Sequence, residues 1–411
     1  MNKNLRIFLI VSGAVVILAL LLALALVPGW EAPWTRNPPE ASELGYGQDA
    51  VKAVILKVAE EGTIKLGDVQ QAYQIFQVRI LEGEYQGVEL TVDYGRRQIR
   101  PPGLNLEPGD RVILGISKGP ENILQARFLD YVRTGPLLIL FATFVVFSVG
   151  ISGWKGVRGL IGMGFSLLVI IYYIIPQILA GKDPVLISVT GAFFLLSVSL
   201  YLVYGWTLKT HSAVLGTLLS LVLTAFLASY FVNLTRLTGF GSEEALFLIQ
   251  QSRGTINMQG LVLGGMLIGA LGVLDDLVIT QASVVFELNS LNPKLSLSDL
   301  FRRSMRVGQD HVAATVNTLV LAYAGAALPM FLLFSISGEN LTDLLNLEYV
   351  AEEVVRTLVG SLGLIAAVPL TTLLASMIAT RYPSFGSWIR YLGPKTQGEN
   401  AGSHQHFHHD H

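Results

Sequence analysis

The 411-residue chain has no cysteine. That excludes disulfides, thiolate metal sites and a cysteine nucleophile, and it leaves the redox compartment open. Charge is scarce: Asp, Glu, Lys and Arg make up 14% of the residues and the net charge is −2. Nothing here supports nucleic-acid binding. Histidine is nearly absent before the last eight residues, which hold five of the seven. No Ser/His constellation and no His-Glu-x-x-His pattern occurs, so the chain reads as non-enzymatic and without a bound cofactor. What is abundant is apolar: 52% of residues are hydrophobic, in several runs long enough to cross a bilayer. The composition predicts a multi-pass α-helical membrane protein.

Eight such runs can be traced in chain order. The first, Ile7 to about Val27, follows Lys3 and Arg6 and leads into Trp30 and Trp34, residues suited to a membrane interface. Its length argues against a cleaved signal peptide, although Ala23–Ala25 offers a cleavage motif. Residues 1–29 are therefore expected to form a transmembrane helix. Residues 30–133 differ in character. Alternating segments at Ala50–Val58, Tyr73–Leu81, Val88–Tyr94, Arg111–Ile116 and Ile123–Leu129 are punctuated by Gly, Pro and Asp. They predict a small five-stranded antiparallel domain resembling an OB barrel, with no catalytic constellation.

Seven more runs follow within residues 134–381: Pro136–Gly153, Leu160–Ile178, Val185–Tyr204, Ala213–Val232, Leu261–Gln281, Val312–Phe334 and Val355–Ala379. Lys155, Arg158, Lys209, Lys294, Arg302, Arg303, Arg306 and Arg381 fall in alternate loops. The excess of positive charge on one side predicts both termini in the cytoplasm and residues 30–133 outside. Glu243–Ile249 reads as a short outer helix. Leu295–Met305 reads as an amphipathic helix in the inner interface, with Ser298 as its cap. Residues 382–411 form a tail whose His404, His406, His408, His409 and His411 could bind a divalent metal. An unstructured tail or an expression remnant explains them as well.

The stretch from Gly264 to Ser283 stands apart. Gly265, Gly269, Gly272, Asp276, Thr280, Ser283 and Glu287 recur every three or four residues and so share one helix face. The glycine half predicts close packing of another helix, and the polar half is one that lipid would not tolerate. Each Asp costs about 2.5–3.5 kcal/mol near a span's centre and each Leu, Ile or Val returns about 0.3–0.6, so the segment is marginal alone and needs a bundle. The pair Asp275 and Asp276 is the first candidate for a protonatable or cation-binding site, with Asp276 favoured because it lies on the glycine face. The bland alternative is a pair near the cytoplasmic end that snorkels to water and meets the loop arginines. On the next helix Asn317 and Thr318 are natural hydrogen-bond partners for that face, alongside His311 and Tyr323. Thr371, Thr372 and Ser376 could line the same cavity, and Pro329 and Pro369 could break their helices.

These residues carry a resemblance. Leu237-Thr-Gly-Phe-Gly-Ser-Glu-Glu-Ala245, the Gly264–Ser283 stretch, Arg306-Val-Gly-Gln-Asp-His311 and Thr315-Val-Asn-Thr-Leu-Val-Leu-Ala-Tyr-Ala-Gly325 resemble the YibE/F-like family of bacterial multi-pass membrane proteins. The resemblance implies a permease and names no substrate. Leu274-Asp-Asp-Leu-Val-Ile279, followed by a basic amphipathic helix and a Thr/Asn-rich one, is also similar to part of SecF, of the resistance-nodulation-division transporters. That likeness implies proton coupling through an intramembrane Asp. The chain departs from SecF in having two more helices, one such half rather than two, and another outside domain. A second copy or a paralogous membrane partner would then complete the path. Three readings follow: an ion-coupled permease or export factor in the lipid bilayer, a divalent-metal exporter, and a noncatalytic assembly or secretion accessory protein.

Overall fold

A computed structural model describes residues 50–66, 69–96, 100, 103, 105–118, 124–252, 254–338, 340–381 and 392–396. The expected N-terminal helix and the His-rich tail lie outside the described residues. The chain divides into two compact units at Ile151/Ser152.

The first unit is built on five antiparallel strands: β1 (Ala50–Leu66), β2 (Val69–Ile80), β3 (Glu89–Tyr94), β4 (Arg111–Lys118) and β5 (Leu124–Tyr131), in the order β3-β2-β1-β4-β5. All five expected strands are present. The first two reach further than their apolar alternation indicates, pairing from Ala53↔Ile80 out to Leu66↔Val69. Register shifts between Ile55 and Lys57 and between Val58 and Glu60 put two bulges in β1, which bend it. Phe76, Val78, Val92, Val112 and Leu114 are fully enclosed in its core. The Tyr94 ring of β3 stacks at 4.5 Å on Phe128 of β5, so the two edge strands meet across that core. The buried amides of Gln71 and Gln74 tie Arg100 and the Leu106 backbone over one end of it.

The helices are α1 (Thr134–Val169), continued through a π-helical turn at Ile170–Ile174 into α2 (Ile175–Leu179), then α3 (Pro184–Tyr204), α4 (Leu208–Leu234), α5 (Glu243–Gln251), α6 (Met258–Leu291), α7 (Leu297–Ala326), α8 (Leu328–Ser337), α9 (Leu341–Leu345) and α10 (Glu348–Arg381). Among the described residues, five stretches are long and apolar enough to cross a membrane: Thr134–Leu179, α3, α4, α6 and α10. The pair Leu297–Ala326 and Leu328–Ile336, bent by 58°, makes a sixth if it is one span. The two runs expected at Pro136–Gly153 and Leu160–Ile178 are joined in one helical stretch. Gly153 alone leaves helical geometry there (φ 57°, ψ −135°) and marks the junction.

Local chemistry explains the helix starts. Asp183, Thr207, Ser242 and Asn257 cap α3 to α6, each accepting a backbone N–H of the first turn. Ser296, not Ser298, caps α7: its hydroxyl accepts from Asp299 N and donates to the Asp299 carboxylate. The amphipathic segment expected in the interface is not a separate helix. It forms the first turns of α7, because nothing between Met305 and Val312 breaks the helix. The break comes at Ala327, where Pro329 opens α8. Pro369, by contrast, sits inside an unbroken α10.

The bundle is assembled from α3, α4, α6, α7 and α10 around one apolar cluster containing Leu196, Leu221, Leu267, Leu274, Val278, Leu364 and Val368. Its outer surface is apolar too, with Leu186, Val222, Phe226 and Ile336 exposed. Its interior carries small hydroxyl residues where helices approach. A methyl group added at Gly216 of α4 would collide with Thr371 of α10, and one at Gly363 of α10 with Thr224 of α4. Each helix thus offers one notch and one peg to the other. Beyond α10, Leu392–Thr396 returns to the α3–α4 elbow, where Leu208 N donates to Pro394 O and the His211 ring bridges Tyr201 Oη and Leu392 O.

Candidate intramembrane carboxylate site

Helix α6 has 34 residues, and Asp275 and Asp276 lie at its middle, about 25 Å from either end at 1.5 Å per residue. No ion pair joins either carboxylate to a basic side chain among the described residues. The snorkelling alternative therefore lacks the loop arginines it requires. Asp276 is exposed and Asp275 half-buried. The Oδ1 atom of Asp275 is enclosed and has no hydrogen-bond partner.

The neighbours of α6 fix the depth of this pair. Helix α3 has 21 residues, about 31 Å, close to the thickness of a bilayer's hydrocarbon core. At its start, Pro184 O and the Ser188 hydroxyl press on Gly264. At its end, the Tyr204 hydroxyl lies close enough to both carboxylates to feel their charge. The pair therefore sits in the half of the bundle nearer Tyr204. Asp275 is turned about 100° from Asp276 towards the side of α6 that meets α3.

The face expected to be packed is open. A methyl group at Gly265 or at Gly272 would meet nothing within 4 Å, and one at Gly269 would meet only the Tyr323 hydroxyl, at 3.8 Å. Below Asp276 the stripe continues through half-buried Thr280 and Ser283 to exposed Glu287. Ser283 Oγ donates to its own helix, at Ile279 O. Glycines that do admit a neighbouring helix include Gly264 on α6, Gly216, Gly363 and Gly308, the last against Val368 of α10 and Gln281 of α6. Periodicity groups residues onto a face but does not say which face meets which helix, so the packing role passes from the open stripe to glycines such as these.

Asn317 and Thr318 are not brought to Asp276. Both are exposed, and Thr318 Oγ1 donates to Ala314 O. The turns of α7 that face the bundle run through Ser304, Gly308, Val312, Leu319 and Tyr323, which leaves Asn317 on roughly the opposite side. The polar link between α6 and α7 is made instead by Gln281. It is fully buried, and its Nε2 donates to Ser304 O at 3.1 Å and to Thr372 Oγ1 at 2.7 Å, tying α6, α7 and α10 together. Thr372 Oγ1 in turn donates to Val368 O, whereas the buried hydroxyls of Ser304, Thr371 and Ser376 have no partner.

Three features escape sequence reasoning. The Tyr204 hydroxyl is within electrostatic reach of both carboxylates, and Lys209 Nζ lies 5.7 Å from the centre of its ring. Lys209 is also within electrostatic reach of Lys155 and Glu287. At the far end of the bundle the Glu348 carboxylate accepts from Thr238 N at 2.6 Å, from Thr238 Oγ1 and from Gly239 N at 2.8 Å. Gly239, at φ 87°, and Gly241 let that turn close on Met258 O and on the Tyr349 backbone. Leu237–Ala245 is therefore a structural clamp for the start of α10. Among the described residues no group of three or more His, Asp or Glu side chains could hold a metal ion.

Long apolar helices, hydroxyls inside and hydrocarbon outside define a multi-pass helical membrane protein. The family model described as YibE/F-like protein matches residues 140–381, more than half of the chain, and the chain belongs to that family. Comparison with curated proteins and with solved structures gave no match.

Proposed function

We propose that this protein is a permease or export factor of the bacterial cytoplasmic membrane, driven by protons or another cation through Asp275 and Asp276. One observation carries the reading: two adjacent carboxylates stand midway along a long apolar helix without a basic partner among the described residues, and one has an enclosed oxygen that nothing there satisfies. Such a pair is costly to keep in a bundle, and intramembrane carboxylates of this kind mark ion pathways. In this reading the chain has eight spans, two of them meeting at Gly153. Both ends of the chain lie in the cytoplasm, and an OB-like barrel of residues 30–133 lies outside. The strand order β3-β2-β1-β4-β5, with Tyr94 on Phe128 drawing the edges together, supports that barrel. The open stripe of α6 leaves room for a second copy or a paralogous partner.

The decisive experiment is proton flux in proteoliposomes, comparing wild type with Asp276→Asn and Asp275→Asn, with and without divalent metals. Loss of flux in the folded variants supports coupling. Flux that needs the metal favours a divalent-metal exporter. Equal flux in all three proteins, or none in any, leaves a noncatalytic accessory role that presents the outer domain.

A further inference from the structure

We propose that the wedge between the bent pair α7–α8 and the start of α10 is a binding site for amphipathic organic cations, with Glu353 as the counter-ion. Its lining comes from α7, α8, α9 and α10. The inference does not depend on what Asp275 and Asp276 of α6 do.

The wedge follows from the course of the backbone. Helix α7 runs against α10, with Gly308 set on Val368 and Leu319 reaching to 4.0 Å from a methyl placed on Gly360. At Ala327 the chain bends by 58°, and Pro329 opens α8 on a new course. Helix α10 continues as one helix, so the two elements part. They touch again where the Phe334 ring lies 6.0 Å from that of Tyr349. Buried Leu344 of α9 and Val350 of α10 form part of the wall. What is left between them is a cavity of about 520 Å³. Small-molecule sites have volumes of about 300–1,000 Å³.

The lining chooses the ligand. It is nearly all carbon and includes the rings of Tyr323, Phe331 and Phe334. Into it faces one charged side chain among the described residues, half-buried Glu353. The nearest compensating charge is Arg356, and Arg356 is shared. Its Nη2 donates to Glu352 at 2.7 Å, while its Nε lies 3.4 Å from Glu353 Oε2 and forms no hydrogen bond. One guanidinium thus serves two carboxylates, and Glu353 has the weaker share. The surrounding sequence adds no further cation: residues 311–355 contain no Lys or Arg, and residues 328–355 contain five acids. An anion would be repelled here, and a neutral ligand would leave Glu353 facing carbon. A metal ion would find one carboxylate and hydrocarbon in place of an oxygen cage. An organic cation supplies charge to Glu353, apolar surface to the walls, and a positive centre to the faces of the aromatic rings.

The absence of cysteine makes the test direct on the full chain. Ser335 lines the cavity, whereas its neighbour Ile336 is 84% exposed. Ser335→Cys and Ile336→Cys, each purified in detergent, are labelled with maleimide in the presence of tetraphenylphosphonium or of tetraphenylborate, an anion of nearly the same shape. Tetraphenylphosphonium should slow labelling of Ser335→Cys and leave Ile336→Cys unaffected. Added to Ser335→Cys, Glu353→Gln should raise the concentration needed on the order of tenfold. Val354→Trp, which keeps the carboxylate and fills the wedge, should abolish protection. No protection at position 335, or equal protection at 335 and 336, overturns the site. Equal protection by tetraphenylborate, or protection unchanged in Glu353→Gln, overturns the preference for cations and leaves a cleft for hydrocarbon chains. The comparison of the two ions needs no change at Glu353, so it decides the charge preference even where Glu353→Gln fails to fold.

Discussion

Two carboxylates in the same bundle are treated in opposite ways. Glu348, at the start of α10, accepts three hydrogen bonds from Thr238 and Gly239 and holds the α4–α5 turn against α10. Asp275, at the centre of α6, keeps an enclosed oxygen with no donor at all. The first is what a structural acid looks like: every bond it forms is a constraint on the backbone. The second contributes nothing to holding the fold and is costly to bury, which is the mark of a group kept for its chemistry.

That contrast can be broken most sharply by exchanging the roles. Asp276→Asn or Asp275→Asn should lower proton flux on the order of a hundredfold while leaving the thermal stability of the detergent-solubilised protein unchanged or higher. Full flux in both would end the contrast. Glu348→Ala should act in the opposite sense, lowering stability by about 2 kcal/mol because three donors lose a charged acceptor. A melting temperature equal to wild type would show that the clamp is idle. The same comparison extends to the glycines. Gly216→Ala and Gly363→Ala should cost about 1–3 kcal/mol by driving a methyl into a threonine, whereas Gly272→Ala, on the open stripe, should stay within about 0.5 kcal/mol. The smallest effect is expected at the buried hydroxyls without a partner. Thr371→Val keeps the shape and removes an unsatisfied group, so stability should hold or rise by up to about 1 kcal/mol. A clear loss would mean that Thr371 has a polar role.

Much of this architecture was legible beforehand. The long apolar runs, the five strands, the short helix at Glu243 and the break at Pro329 all follow from composition, alternation and proline geometry. The far arm of β1 and β2 was not, because Ala59–Leu66 carries charges and a glycine in place of apolar alternation. The continuity of α7 was missed because a change from basic to apolar composition looks like a boundary although no residue there breaks a helix. At the site, the placement of Asp275 and Asp276 inside a long helix was readable. Their surroundings were not. Gly264 and Gly265 are neighbours in sequence, yet one meets Ser188 and the other meets nothing, and only the packing of α3 decides between them. Gln281 became the link between three helices for the same reason. It was in view as one polar residue among several, and its partners lie 23 and 91 residues away.

The paired notches of α4 and α10 carry a consequence for motion. Gly216 and Thr224 on one helix meet Thr371 and Gly363 on the other, so two pegs stand about 12 Å apart, eight residues along each helix. A single peg would allow rocking about itself. Two pegs in opposed notches forbid pivoting, and a slide by one turn would unseat both at once. Helices α4 and α10 therefore behave as one beam, and any shape change around α6 must be borne by the parts not doweled to it, α3 and the bent pair α7 and α8.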